Sequence, residues 1–495
     1  MNDTKKRIIA ALLLASFTVF GLIACADSGK TQSGGAQETT VASNGSGDET
    51  EIRPDLPDVK FDGEEFGILI SSNDELGIVK NDFEAFEMNG DVINDARFTR
   101  NAAIEEKYNV DIVDYPQPVG HNGAGLNAIR NSVTAADFAY DIAMMAGYDT
   151  CTLASTGYLQ DLYSLNYLDL TKPYWDQKCN ADLTIMGKMY FTTGDISTAD
   201  NDATYAIMFN KLLVLDYGLP DYYEMVKNGT WTIDNFLASV VQVHADLDAN
   251  GQYDTNDLYG ALIWDDTVMG IINAAGQKCC TINAAGELEL TLNTERTVNV
   301  LDKYFEVAFD NSIAHTYQRK NWDGVAAVRM FSNNQALFFM RLLVDVPSLR
   351  GMEADFGILP YPKYDEAQKE YYNTVGSWHS VFMCVPKVQE NPDRTGILVE
   401  AIAYESMKTV TPAYYEIALK GKYTRDNESS DMLDIILATR CYDLGWYYQI
   451  GGYNEQVMNL LRNFKNDFTS MYKKLEKTAL KQVEKLNEKF AEVTA

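Results

Sequence analysis

Apolar residues recur along this chain with two periods, one of strands and one of helices, and the two alternate. Residues 65–71 (EFGILIS) form an apolar run of strand length. Residues 92–108 place Val92, Ile93, Ala96, Ala103 and Ile104 at helical spacing. Residues 110–113, 125–136 and 140–145 (YDIAMM) then predict strand, helix and strand. This order predicts βαβ units around a parallel sheet, with right-handed crossovers that put helices on both faces.

After Asp200 the alternation starts again. A strand is predicted at 203–209 (ATYAIMF), and short helices at 212–217 and 222–227 on either side of Gly218-Leu219-Pro220. Thr232 can cap a helix over 233–245. Further strands are expected at 258–264, 356–359 and 380–385 (SVFMCV), a helix at 296–309, and an apolar stretch at 335–343 (QALFFMRLL). From 393 onward the pattern is mostly helical, and 458–493 predicts one or two charged surface helices. A chain of 495 residues exceeds one ordinary core, so two α/β domains are expected.

The N-terminus follows neither period. Lys5, Lys6 and Arg7 precede an apolar run from Ile8 to Ala24 that ends in Leu22-Ile23-Ala24-Cys25. This is the layout of a secretory signal, and its length is marginal for a membrane span. The tetrapeptide resembles the lipobox of bacterial lipoproteins, which implies cleavage before Cys25 and acylation of that thiol. Residues 28–50 are Ser, Gly, Thr, Ala, Gln and Asn with few charges, the composition of a flexible tether. The expected order is a signal at 1–24, a tether at 25–56, and a soluble body on the extracellular face of the cell membrane.

The formal charge is −30. Cutting before Cys25 would remove three positives (Lys5, Lys6, Arg7) and one negative (Asp3), leaving about −32. So acidic a body excludes nucleic acid as a partner and is repelled by anionic lipid. Six cysteines remain beyond Cys25. Cys151 and Cys179 are a possible pair, a bond between adjacent Cys279 and Cys280 would be strained, and no CxxC motif is present.

One loop has metal-ligand spacing. From Asp246, oxygen side chains fall at positions 1, 3, 5, 9 and 12 (Asp246, Asp248, Asn250, Asp254, Asp257). Gly251 stands at 6, and Gln252 offers a carbonyl at 7. This is the ligand order of an EF-hand calcium loop, with Asp where Glu usually closes it. A helix is expected to enter and a strand to leave, so the Ca²⁺ role expected is structural and unpaired. The alternative is a polar Asx-rich turn.

Several segments together resemble the family 1 extracellular solute-binding proteins, the sugar-binding receptors of ABC importers. They are Gly157-Tyr158-Leu159-Gln160-Asp161-Leu162, Gly187-Lys188-Met189-Tyr190 with Gly194-Asp195, and Phe209-Asn210-Lys211. Gly229-Thr230-Trp231-Thr232, Phe356–Pro362, and Gly376-Ser377-Trp378 with Val385-Pro386-Lys387 complete the set. Phe209 stands where tyrosine is usual, and Arg341 where many members carry an aromatic.

The resemblance implies a periplasmic-binding-protein-like (type II) α/β fold with two lobes of mixed sheet flanked by helices and joined by crossover strands. An N-lobe of 57–203 plus 385–440 and a C-lobe of 204–384 plus 441–495 are expected, with crossings near 203–209 and 378–385.

Sugars present hydroxyls and apolar C–H faces, so their sites combine flat aromatic rings with Asp, Asn and Arg side chains. At loop ends that the resemblance places near the cleft stand Tyr148, Asp195, Trp264, Arg341, Trp378 and His379, with Asp149, Asp200, Asp265 and Asp266 beside them. His121-Asn122-Gly123-Ala124-Gly125 lacks the lysine of a P-loop and the spacing of a dinucleotide loop, and reads as a helix N-cap. No GxSxG or HExxH motif is present, and the four histidines are scattered.

The expected function is therefore a lipid-anchored receptor. It captures a small solute, an oligosaccharide first, and delivers it as a monomer to ABC permease subunits without catalysis. A secreted glycan hydrolase and a structural or adhesin lipoprotein are the alternatives.

Overall fold

The Asp91 carboxylate accepts hydrogen bonds from the backbone N–H of Ile93 (3.1 Å) and Asn94 (3.0 Å), and this cap starts helix Val92–Tyr108 in the computed structural model. Asn109, in the left-handed region at φ 48°, ends the helix one residue before the next strand. Local capping thus sets both helix boundaries the apolar spacing anticipates. The structure describes residues 52–71, 81–317, 323–415 and 427–492. The signal, Cys25 and residues 25–51 of the tether lie outside the described residues.

Two five-stranded sheets carry the fold. In the first, Glu64–Ser71 pairs in parallel with Val110–Pro116 on one side and Ile142–Ala146 on the other. Val381–Cys384 then pairs antiparallel with Ile142–Ala146, and Phe191–Thr192 closes the edge. In the second sheet, Tyr205–Asn210 is antiparallel to both Phe356–Leu359 and Ala336–Leu342. Ala336–Leu342 is parallel to Tyr259–Ile263, which is parallel to Ala314–Thr316. Ile142–Ala146, Tyr205–Asn210 and Ala336–Leu342 are buried along their whole length, as sheets covered on both faces require.

Each sheet holds an antiparallel strand that begins just after the chain crosses over from the other. The two crossings lie side by side. Thr204 bridges Val375, and the backbone N–H of Gly376 donates to the carbonyl of Ala203 at 2.9 Å. Both sheets belong to one compact unit, Ile52–Ala495.

Two segments differ from the expected division. Val381–Cys384, expected in the C-lobe, is a strand of the first sheet. Helix Asn427–Ala438, expected in the N-lobe, packs against strand Phe356–Leu359 of the second. Local periodicity gives a strand its length but not its partner. The expected 458–493 stretch is two helices, Tyr453–Arg462 and Phe468–Glu492. The latter touches both helix Gly147–Thr156 and strand Leu288–Leu290.

Thr232 caps its helix through Asn235 N–H, but the helix runs only from Ile233 to Val240. Cys151, Cys179, Cys279, Cys280, Cys384 and Cys441 are all buried free thiols, so no Cys151–Cys179 bond forms. Among the described residues, no helix is long and apolar enough to cross a membrane.

Candidate functional site

The parallel strands of both sheets end toward the crossings, which is where open α/β sheets characteristically bind ligands. In the first sheet, Ile142–Ala146 runs directly into helix Gly147–Thr156, whose second residue is Tyr148. A Cβ on Gly147 would meet the Ser377 carbonyl and the Ser380 hydroxyl at 2.8 Å, so only glycine lets the crossing approach this closely. The Tyr148 hydroxyl lies 3.2 Å from Ser377 Oγ on the crossing and accepts from Asn454 Nδ2 at 2.9 Å. Burial pushes its phenol up to about 12.

Three rings meet edge to face here. Tyr148 and Trp378 are 5.6 Å apart between centroids, His121 and Trp378 5.7 Å, and His121 and Tyr148 5.6 Å. Trp378 remains 37% exposed, a large open apolar surface in an otherwise closed junction.

Trp264 follows strand Tyr259–Ile263 in the second sheet and is only 2% exposed. Its face is covered by the Arg341 guanidinium, whose carbon lies 4.5 Å from the ring centroid, and the His379 ring packs at 5.6 Å. Arg341 Nε also pairs with Asp345 at 2.5 Å. Trp264, Arg341 and His379 are therefore packed together beneath the junction and present no open face.

Asp266 accepts the Tyr205 hydroxyl at 2.9 Å, and Asp265 accepts Arg462 Nε at 2.6 Å. Burial and the neighbouring Asp266 push the Asp265 carboxyl up to about 7 against the pull of Arg462. Burial raises Asp266 too, opposed by His379 and the Tyr205 hydroxyl.

Five of the six residues expected to contact ligand therefore belong to this junction. Asp195 does not. Its Oδ1 accepts from Thr411 Oγ1 at 2.8 Å, and it shares a separate acidic cluster with Asp176, Asp200 and Arg440. Arg440 bridges Asp176 at 2.8 Å and Asp200 at 2.6 Å. His121, read from sequence as part of an N-cap, is a ring of the junction. The N-cap read there does form: Gly123 precedes helix Ala124–Ala135, and its carbonyl accepts Asn127 N–H at 3.2 Å. The one sequence signal for this role was a polar ring set between Gly120 and Gly123.

The metal-spaced loop gathers part of its ligand set. Carboxylate oxygens of Asp246, Asp248 and Asp257 lie within 4.8 Å of one another, and Gly251 turns at φ 79° as position 6 requires. The backbone N–H groups of Gly251 (2.7 Å) and Asn250 (3.2 Å) hold the Asp246 carboxyl below its usual range. Asp254 is outside that triplet and caps Asn256 N–H instead, while Asn250 Oδ1 accepts from Gln252 N–H. Three hard anionic oxygens fit Ca²⁺, and the remaining ligands would have to turn inward.

A surface groove of about 970 Å³ runs along helix Phe468–Glu492. It is lined by Glu and Lys side chains together with Leu480 and Val483 and shares no residue with the junction, so its size alone does not make it the site.

No family model matches the sequence, and no curated protein matches it. Solved structures do match the fold. The GacH receptor of Streptomyces glaucescens GLA.O, solved unliganded and with acarbose, aligns at TM-score 0.53 and 13% identity, over 86% of this chain and 98% of its own. A cyclo/maltodextrin-binding protein with maltotetraose aligns at TM-score 0.57 and 11% identity, over 85% and 96%. UgpB from Mycobacterium tuberculosis, with glycerophosphocholine, aligns at TM-score 0.53 and 15% identity, over 79% and 96%. The chain thus has the two-lobed, mixed-sheet α/β fold of these type II solute-binding proteins.

Proposed function

We propose that this chain is the solute-binding receptor of an ABC importer, holding an uncharged, hydroxyl-rich solute, an oligosaccharide first, between its two lobes. The observation that carries this reading is Trp378, an exposed indole on the segment joining the sheets, braced edge-on by Tyr148 and His121. Such a surface suits the C–H face of a sugar ring. Among the described residues, the two guanidinium groups at the junction are already committed, Arg341 to Asp345 and Arg462 to Asp265 and Glu455. This favours a neutral solute over an anionic one. The solved binding proteins of this fold, with acarbose and maltotetraose bound, support the same class.

In this reading the lobes close on the solute, which shifts the open–closed equilibrium only by its difference in affinity for the two states. No covalent chemistry takes place. Cys25, acylated after cleavage, would hold a monomer on the outer face of the membrane, where the closed form meets the permease. Ca²⁺ in the loop of Asp246, Asp248, Asn250, Gln252, Asp254 and Asp257 would be structural.

The test is calorimetry and thermal shift on the body Ile52–Ala495 against maltotetraose, acarbose, cycloalternan and ribitol. A raised melting temperature without consumption of the solute is expected, and Trp378→Ala should weaken binding about tenfold or more. Turnover of the solute would sink the receptor reading, as would the absence of any shift across the panel.

A further inference from the structure

We infer that His121 contacts the solute through Nε2 and that Asp149 is its positioning residue. The inference rests on the receptor reading above.

The loop that carries His121 is held in an unusual backbone path. Gly120 sits at φ 149°, Asn122 at φ 55°, and a Cβ on Gly123 would meet the Gly120 carbonyl at 2.6 Å. A non-glycine residue at positive φ and two glycines in close approach cost conformational freedom, and such costs concentrate where a side chain must be aimed.

The second observation is a buried charge. Asp149 is 1% exposed, and its Oδ1 lies 2.7 Å from His121 Nδ1 and accepts Asn122 N–H at 3.0 Å. The Nδ1 contact is close but bent away from an aligned N–H···O bond, and it sets the ring against the carboxylate. Among the described residues, the buried Asp149 Oδ2 has no hydrogen-bond partner. Burying a carboxylate with half its acceptors unused is expensive, and both of the contacts it does make fix the His121 loop.

The third is the ring's outlook. The His121 side chain is 23% exposed beside the open face of Trp378. Nδ1 is buried against Asp149, whereas Nε2 is not among the buried polar atoms and bonds to none of the described residues. A hydroxyl-bearing ring lying on Trp378 would meet an imidazole nitrogen at its edge, which selects solutes with a hydroxyl at that place.

The experiment uses the body Ile52–Ala495 with maltotetraose, acarbose, cycloalternan and ribitol, by calorimetry and by NMR of the ¹⁵N-labelled imidazoles. His121→Phe keeps an aromatic ring and removes Nε2. Affinity for the solute bound by wild type should fall about tenfold, measured well below the melting temperature of the variant, which falls because Asp149 loses a partner. In the wild type, adding that solute should shift the His121 Nε2 resonance, a readout that needs no variant. Asp149→Asn should change the imidazole ¹⁵N pattern before any ligand is added and then weaken binding. If wild type binds while His121→Phe binds equally well, or Nε2 does not shift, this inference alone falls. If wild type binds none of the four, the receptor reading falls and takes this inference with it.

Discussion

Asp200→Asn should stabilise the protein at pH 8 and do progressively less as the pH falls. Asp200 is 1% exposed, its Oδ2 pairs with Arg440 at 2.6 Å, and its buried Oδ1 has no hydrogen-bond partner among the described residues. Arg440 also serves Asp176, and Asp195 stands nearby, so one guanidinium faces three carboxylates. Burial therefore lifts the Asp200 carboxyl from 3.8 to about 7 despite Arg440.

The sign follows from linkage. A raised folded-state pKa means the native state holds the proton more tightly than the unfolded chain. The stability tied to that proton is complete below the unfolded value of 3.8, shrinks as pH rises, and is lost above about 7. A shift of about three pH units at ~1.36 kcal/mol each sets an upper bound of about 4 kcal/mol. Asparagine keeps an acceptor for Arg440 but never ionises. The variant should gain on wild type by about 2–3 kcal/mol between pH 5 and pH 7, and level off above.

The assay is urea denaturation of both proteins at pH 5, 6, 7 and 8, comparing midpoints at equal slope. A difference that stays constant across this range would refute the reasoning, since it would mean Asp200 ionises as an ordinary carboxylate. A variant less stable than wild type at pH 8 would show that the charged Arg440 pair outweighs the cost of burying it.

Three further outcomes are expected. Gly260→Ala should destabilise severely, because its Cβ would lie 1.9 Å from the Val240 carbonyl inside the second lobe; wild-type circular dichroism and melting would contradict that packing. The six thiols should resist a disulfide-exchange reagent until the chain unfolds, since all are buried, burial raises Cys384, and burial lifts Cys441 to about 12 against Lys278; rapid labelling of the native protein would count against these positions. EDTA should lower the melting temperature of wild type but not of Asp246→Asn/Asp248→Asn; equal melting with Ca²⁺ and with EDTA would leave the loop an Asx-rich turn.

What the sequence made legible is what local physics decides. Val92–Tyr108 was readable from its apolar spacing, with ends that the Asp91 and Asn109 caps fix in the structure, and Phe356–Leu359 because Pro360 stops it. The sheet that receives Val381–Cys384 was not readable, because an apolar tetrapeptide fits either lobe until it is paired. The helix at Ile233 stops at Val240, short of the expected 245, where the chain turns and the Val240 carbonyl takes Val243 N–H at 3.4 Å.

The same limit governs the site. Residue type predicted that Trp264 and Trp378 were both candidates for stacking, but only tertiary structure lays Arg341 over one indole and leaves the other open. Asp195 and Asp149 are both acidic residues following strands, and nothing local tells the one facing Arg440 from the one aimed at His121. The resemblance placed these loop ends near the cleft, and the structure ends its parallel strands there. Its working surface depends on which buried charges find partners, and those partners are supplied by segments far away in the chain. Wherever such pairing decides a role, substitution of the partner should move the property as much as substitution of the residue itself. Asp149→Asn and His121→Phe therefore belong in one double-mutant cycle, in which effects that simply add would mean that the two side chains act independently.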